Sequence, residues 1–157
     1  MRRAGILMPL SSLPSPHGIG TMGAAARDFV DFLAAAGQSC WQILPVGPTS
    51  YGDSPYQSFS SFAGNPYFID LDDLAGRGLL EREEYAGLDW GDDPSRVDYG
   101  KLYGNRYPVL RLACGRLEAR EGAALDRFCR EAADWLEDYA LYMALKGKFG
   151  GASWQDW

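Results

Sequence analysis

The chain has 157 residues, enough for one domain with a sizeable core, and its 46% hydrophobic and 23% charged content excludes a disordered polymer. A net charge of −6 argues against a phosphate-backbone partner, so no nucleic acid is expected. The longest apolar runs, "AGILMPL" and "FVDFLAAAG", are far shorter than a membrane span, and no membrane association is expected.

The chain opens with "MRRAGILMPLSSLPS", two arginines before a short apolar run that proline interrupts. It lacks the cleavage pattern of a secretion signal and reads instead as a strand, Ala4–Leu10, covered on both faces. "SSLPSPHGIGTMG" is a loop punctuated by Pro14, Pro16, Gly18, Gly20 and Gly23. "AAARDFVDFLAAAG" then predicts a helix, with Phe29, Phe32, Leu33 and Ala36 on one face and Gly37 at the stop position. "SCWQILPVGP" predicts a second buried strand, Cys40–Leu44, ended by Pro45. Strand, helix and strand with short links make a βαβ unit of parallel strands with a right-handed crossover.

Downstream, "PYFIDL" reads as a third strand. "LAGRGLLEREEYAGL" gives short helical turns and "DWGDDPSRVDYG" a polar, turn-rich link. "KLYGNRYPVLRLACGRLEA" is helical, with Pro108 breaking or opening it. "ALDRFCREAADWLEDYALYMALKGKFGG" predicts one long helix, because Phe128, Ala132, Trp135, Leu136, Tyr139, Tyr142 and Met143 recur at three- and four-residue steps. Two firm strands cannot close a sheet of their own, so the chain is expected to be the first part of something larger. Cys40, Cys114 and Cys129 are odd in number and lack ligand spacing. Buried reduced thiols in a cytoplasmic protein are expected, with neither a metal site nor a cofactor.

The most informative stretch is "PTSYGDSPYQSFSSFAGNPYFIDLDDL", which begins where the second strand ends. In parallel α/β folds ligands sit beyond the carboxyl ends of the strands, and the loop after the first strand leaves the same edge. "YGDSPYQS" offers phenols at Tyr51 and Tyr56, hydroxyls at Ser54 and Ser58, a carboxylate at Asp53 and an amide at Gln57. Rings for the apolar face of a sugar and short polar groups for its hydroxyls are the mix that carbohydrate binding uses. The plainer reading is a well-packed turn with Asp53 capping its own backbone.

Other motifs carry less. "GDS" invites Ser54 as a nucleophile, but His17 is the only histidine, and it is read as a loop residue at a cleft edge rather than a base. "GIGTMG" has glycine-loop spacing but lies too far past its strand for a dinucleotide turn. Asp70 and Asp72 are read as surface or capping acids. Tyr99 and Tyr103, four apart, share a helical face, either as core or as a ring platform beside Tyr51.

Together "GILMPLSSLPSPHGIGTMG", "WQILPVGPTSYGDSPYQSFSSFAGNPYFIDL", "VDYGKLYGNRYPVL" and "WLEDYALYMALKGKFGGASW" resemble the N-terminal part of the 4-α-glucanotransferases, the amylomaltase or disproportionating-enzyme family. The resemblance runs from Ala4 to Trp157. It implies an α/β fold, the N-terminal part of a (β/α)8 TIM barrel: residues 1–74 as the first βαβ unit with a glucan-contacting loop, and 75–157 as a mostly helical insertion subdomain. It further implies transfer of α-1,4-glucan segments between maltooligosaccharides by a retaining double displacement. Retention uses two carboxyl groups about 5 Å apart. In the family these lie on later barrel strands, so no catalytic residue is assigned here and the remainder of the barrel is an expected partner. By motif position Tyr56 and Ser54 resemble residues lining the subsites at the scissile bond, with Asp53 and Gln57 supporting the loop. Tyr51 and Tyr103 correspond to tyrosines of an accessory glucan site. The alternative class is a non-catalytic glycan-binding or assembly domain.

Overall fold

The computed structural model describes residues 3–157. Strand β1 (Gly5–Leu7) is followed by a 3₁₀ turn at Leu10–Ser12, helix α1 (Ala24–Ala35) and strand β2 (Cys40–Gln42). The two strands are parallel, pairing Gly5 with Cys40, Ile6 with Trp41 and Leu7 with Gln42. This is the expected βαβ unit. Gly5 has no room for a side chain, because an added Cβ would lie 2.4 Å from the Cys40 carbonyl oxygen.

Helix α1 ends as its sequence dictates. Gly37 takes φ +70°, the Gln38 amide donates to the Leu33 carbonyl at 2.9 Å, and the Gly37 amide to Ala34 at 3.1 Å. That pair of bonds satisfies the last helical carbonyls and needs a left-handed residue at its centre, which glycine supplies without steric cost.

The chain then runs without regular structure to a 3₁₀ turn at Pro66–Phe68 and helix α2 (Leu71–Gly76). A third strand was expected here, and two side-chain caps explain its absence. Asn65 accepts from the Tyr67 amide at 3.0 Å, and Asp70 accepts from the Asp73 amide at 2.8 Å. Each cap holds a first-turn N–H that an extended strand would have given to a neighbour. Helix α3 (Tyr99–Glu131) passes through Pro108 without stopping and leaves helical geometry only at Glu121. The long helix expected over 124–151 is interrupted after Glu131 and resumes as α4 (Leu136–Lys148). Trp135 steps out of helical geometry, and its ring meets Phe128 and Tyr139 at 6.5 and 6.1 Å.

The chain divides into two compact units, one running to Arg116 and a second covering Leu117–Trp157. The core of the first lies among Leu10, Leu13, Leu71, Leu79, Leu102 and Val109. Its charged centre is Arg106, fully buried within the apolar stripe of α3. Two expectations about burial fail. Both faces of β1 were expected to be covered, yet Leu7 is 57% exposed and Phe32 of α1 61% exposed. Two strands and one crossover helix have too little surface to cover a sheet on both sides. The cysteines were expected to be buried, yet Cys40, Cys114 and Cys129 are all exposed. They sit on uncovered positions of β2 and α3. No helix among the described residues is long and apolar enough to cross a membrane.

Candidate functional site

Parallel pairing puts the carboxyl ends of β1 and β2 at one edge, and the loops after both strands leave from it. Backbone bonds weld these loops together. The Met8 amide donates to Gln42 at 3.0 Å, the Met22 amide to Phe68 at 2.9 Å, and the Asn65 amide to Val46 at 2.8 Å. The Trp41 indole N–H adds a bond to the Met8 carbonyl at 2.8 Å.

Within the second loop an antiparallel bridge between Thr49 and Ser58 encloses a double turn. In its first half the Asp53 amide donates to Ser50 at 3.0 Å, with Gly52 at φ +95° and Asp53 at φ +53°. In its second half the Gln57 amide donates to Ser54 at 3.1 Å, and the Tyr56 amide reaches Ser54 Oγ at 3.3 Å. Serines continue the scaffold: Ser58 Oγ donates to the Ser60 carbonyl at 2.8 Å, and Ser60 Oγ accepts from Phe62 and Ala63 at 3.1 and 3.0 Å. The hydroxyls replace a β-ladder as partners for the backbone, as short polar side chains do in turns.

This scaffold presents Tyr51 fully exposed at the tip and Tyr56 73% exposed beside it, with Gln57 exposed and Ser54 half-buried. Beneath it a cavity of about 170 Å³ is lined by Ser11, Thr49, Asp53, Asn65, Phe68 and Tyr99, among others. Asp53 is half-buried, and burial pushes its carboxyl upward against the opposing bond from Thr49 Oγ1 at 3.3 Å. Burial also raises the Tyr99 and Tyr67 phenols, and the nearby Asp53 charge adds to both shifts. From buried Tyr67 a chain of rings leads outward. Tyr67 meets Tyr99 at 6.1 Å and Tyr107 at 5.7 Å, and Tyr107 meets the exposed Tyr103 at 5.6 Å. Of the two tyrosines four apart on α3, Tyr99 is half-buried and Tyr103 is open to solvent.

His17 departs from its expected place at a cleft edge. It is 6% exposed, 5.0 Å from Tyr85 and 6.0 Å from Trp90, with Nε2 3.3 Å from Asp72 Oδ2. Asp72 also accepts from the Tyr85 hydroxyl at 2.7 Å, which lowers its carboxyl pKa, while burial and this bond push the Tyr85 phenol to about 12. His17 Nδ1 is buried and has no hydrogen-bond partner, so neither ring nitrogen meets the Ser54 hydroxyl to serve it as a base. Asp70 is a capping acid, as expected, and also accepts from the Thr21 hydroxyl. The "GIGTMG" glycines serve packing: an added Cβ at Gly20 would lie 2.1 Å from the Leu10 carbonyl oxygen, and one at Gly23 2.1 Å from Asp70 Oδ2. The Asp70 carboxylate thus stands where α1 begins, the place a phosphate would take in a nucleotide loop. No group of three or more potential metal ligands forms among the described residues.

Sequence reasoning passed over Arg106, which ties these parts together. Its guanidinium donates to the His17 carbonyl at 3.3 Å and to the Ile69 carbonyl, and lies 5.9 Å over the Trp90 ring. A signal existed: Leu102, Arg106, Val109 and Ala113 fall on one helical stripe, so Arg106 had to be buried with its neighbours.

The family model for 4-alpha-glucanotransferase matches residues 8–157. A 4-alpha-glucanotransferase of Streptococcus pneumoniae is 51% identical over 157 residues, covering 99% of this chain and 31% of its own length. One from Thermus thermophilus is 51% identical over 160 residues, with the same coverage of both. Among solved structures, the amylomaltase from Streptococcus agalactiae in complex with acarbose superposes with a TM-score of 0.95 at 45% identity, covering 100% of this chain and 32% of that one. The chain thus spans about a third of the length of the relatives it matches. It belongs to the 4-alpha-glucanotransferase family.

Proposed function

We propose that this chain is the N-terminal part of a cytoplasmic 4-α-glucanotransferase that moves α-1,4-glucan segments between maltooligosaccharides by a retaining double displacement. It supplies the first βαβ unit of a (β/α)8 barrel and one wall of the substrate groove. The observation that carries this reading is the serine-scaffolded double turn. It leaves the carboxyl end of β2 beside the first loop and holds Tyr56 open to solvent at the edge where parallel α/β folds bind ligands.

In this reading Tyr56 stacks on the apolar face of a glucosyl ring and Ser54 addresses a sugar hydroxyl. Asp53 and Gln57 shape the turn, and Tyr51 with Tyr103 makes an accessory glucan platform. The nucleophile and the acid/base, two carboxyl groups about 5 Å apart, belong to the remainder of the barrel. The 157 residues alone are therefore inactive. Acarbose in the similar S. agalactiae amylomaltase supports a saccharide as the ligand.

The test is maltotriose disproportionation. The complete protein that contains this chain should release glucose and longer oligomers, and Tyr56→Ala should lower kcat/KM by about ten- to a hundredfold, the loss of one ring contact in the transition state. Transfer by the isolated 157 residues would contradict the assignment of the chemistry elsewhere. Binding of maltoheptaose by a complete protein without transfer would favour a non-catalytic glycan-binding domain.

A further inference from the structure

Asp53 is the one non-glycine residue with positive φ among the described residues. A left-handed backbone disfavours any residue with a Cβ, and asparagine and aspartate tolerate it best. Its neighbour Gly52, at φ +95°, shows that a glycine meets the needs of such a turn. What the side chain at the next position does is read from its contacts. The carboxylate accepts from Thr49 Oγ1 at 3.3 Å, and Thr49 is the residue that pairs with Ser58 to close the loop. It also lines the cavity that Asn65 and Tyr99 share, and burial lifts its pKa. Tyr51 and Tyr56, by contrast, stand open on the outside of the same turn.

We propose that Asp53 is a positioning residue: its carboxylate, turned inward to Thr49 and the cavity, ties the tip of the double turn to its base and so fixes the placement of Tyr51 and Tyr56 toward glucan. This rests on the function proposed above, and it gives Asp53 a role distinct from sugar contact. A ring held by a looser turn binds its saccharide less well, since part of the contact is spent on ordering the loop.

Three substitutions in the complete protein separate the possible roles. Asp53→Asn keeps the left-handed preference and an oxygen for Thr49, Asp53→Gly keeps the backbone freedom and loses the tie, and Asp53→Ala loses both. For Asp53→Ala, KM for maltotriose should rise about tenfold with kcat within about threefold. Asp53→Gly should fall between it and the parent, and Asp53→Asn should stay within about twofold of the parent. Amide hydrogen exchange over residues 49–58, measured without glucan, should quicken in the same order. Parent-like exchange and KM in Asp53→Gly would show the side chain to be idle and overturn the proposal. So would an Asp53→Asn as impaired as Asp53→Ala with exchange unchanged, because the charge would then act on the sugar itself. Exchange reads the turn whether or not transfer occurs. A complete protein without transferase activity thus refutes the function, while the exchange order still decides Asp53.

Discussion

Replacing Arg106 tests how the first unit is held together. The guanidinium is 0% exposed, and burial lowers its pKa from the ordinary arginine value to about 10. At about 1.4 kcal/mol per pH unit, keeping the cation in the core costs about 3 kcal/mol. Against this stand its bonds to the carbonyls of His17 and Ile69, each about 1.5–3 kcal/mol for a charged donor, and the Trp90 face at about 1 kcal/mol. Arg106→Met removes the charge cost together with the bonds, leaves both carbonyls without their donor, and should destabilise by about 2 kcal/mol. Arg106→Ala adds a cavity and should cost about 4–5 kcal/mol. Urea unfolding of the complete protein, followed by far-ultraviolet circular dichroism, reads both values. A methionine variant as stable as the parent would refute the reasoning, since the two carbonyls would then have no need of a charged donor.

Burial lowers the His17 pKa below 6.5 despite the opposing pull of Asp72 and Asp70, and Arg106 adds to the lowering. The unfolded chain therefore takes up a proton that the folded chain resists, so stability is greatest above 6.5 and is lost as pH falls through the folded pKa. The urea midpoint should drop as pH falls below about 6.5, and His17→Phe should flatten that slope; an unchanged slope contradicts the assignment. Gly23→Ala would drive a methyl group to 2.1 Å from Asp70 Oδ2 and displace the carboxylate that caps α2 and binds Thr21. It should cost about 1–2 kcal/mol by thermal unfolding, and Asp70→Ala in that background should add little.

Much of the candidate site was legible because its signals are local. Gly37 after an amphipathic run ended α1, two apolar segments around that helix implied parallel strands, and the tyrosines and serines of residues 48–74 announced a structured turn at a strand end. The failures were local signals that other local signals overrode. "PYFIDL" has the composition of a strand, but Asn65 and Asp70 offer caps that turn its backbone twice. The helix over 124–151 has unbroken periodicity, yet Trp135 steps out of helical geometry and its ring meets Phe128 and Tyr139.

The sequence by itself determined the βαβ order, the irregular loop and which residues it would display, because capping, periodicity and turn chemistry act over a few residues. Only the tertiary structure decided which polar groups face inward. His17 and the guanidinium that holds its carbonyl are 89 residues apart, and Asp53 lines one cavity with Tyr99 of another element. Burial and hydrogen bonding of that kind depend on distances that folding alone brings about.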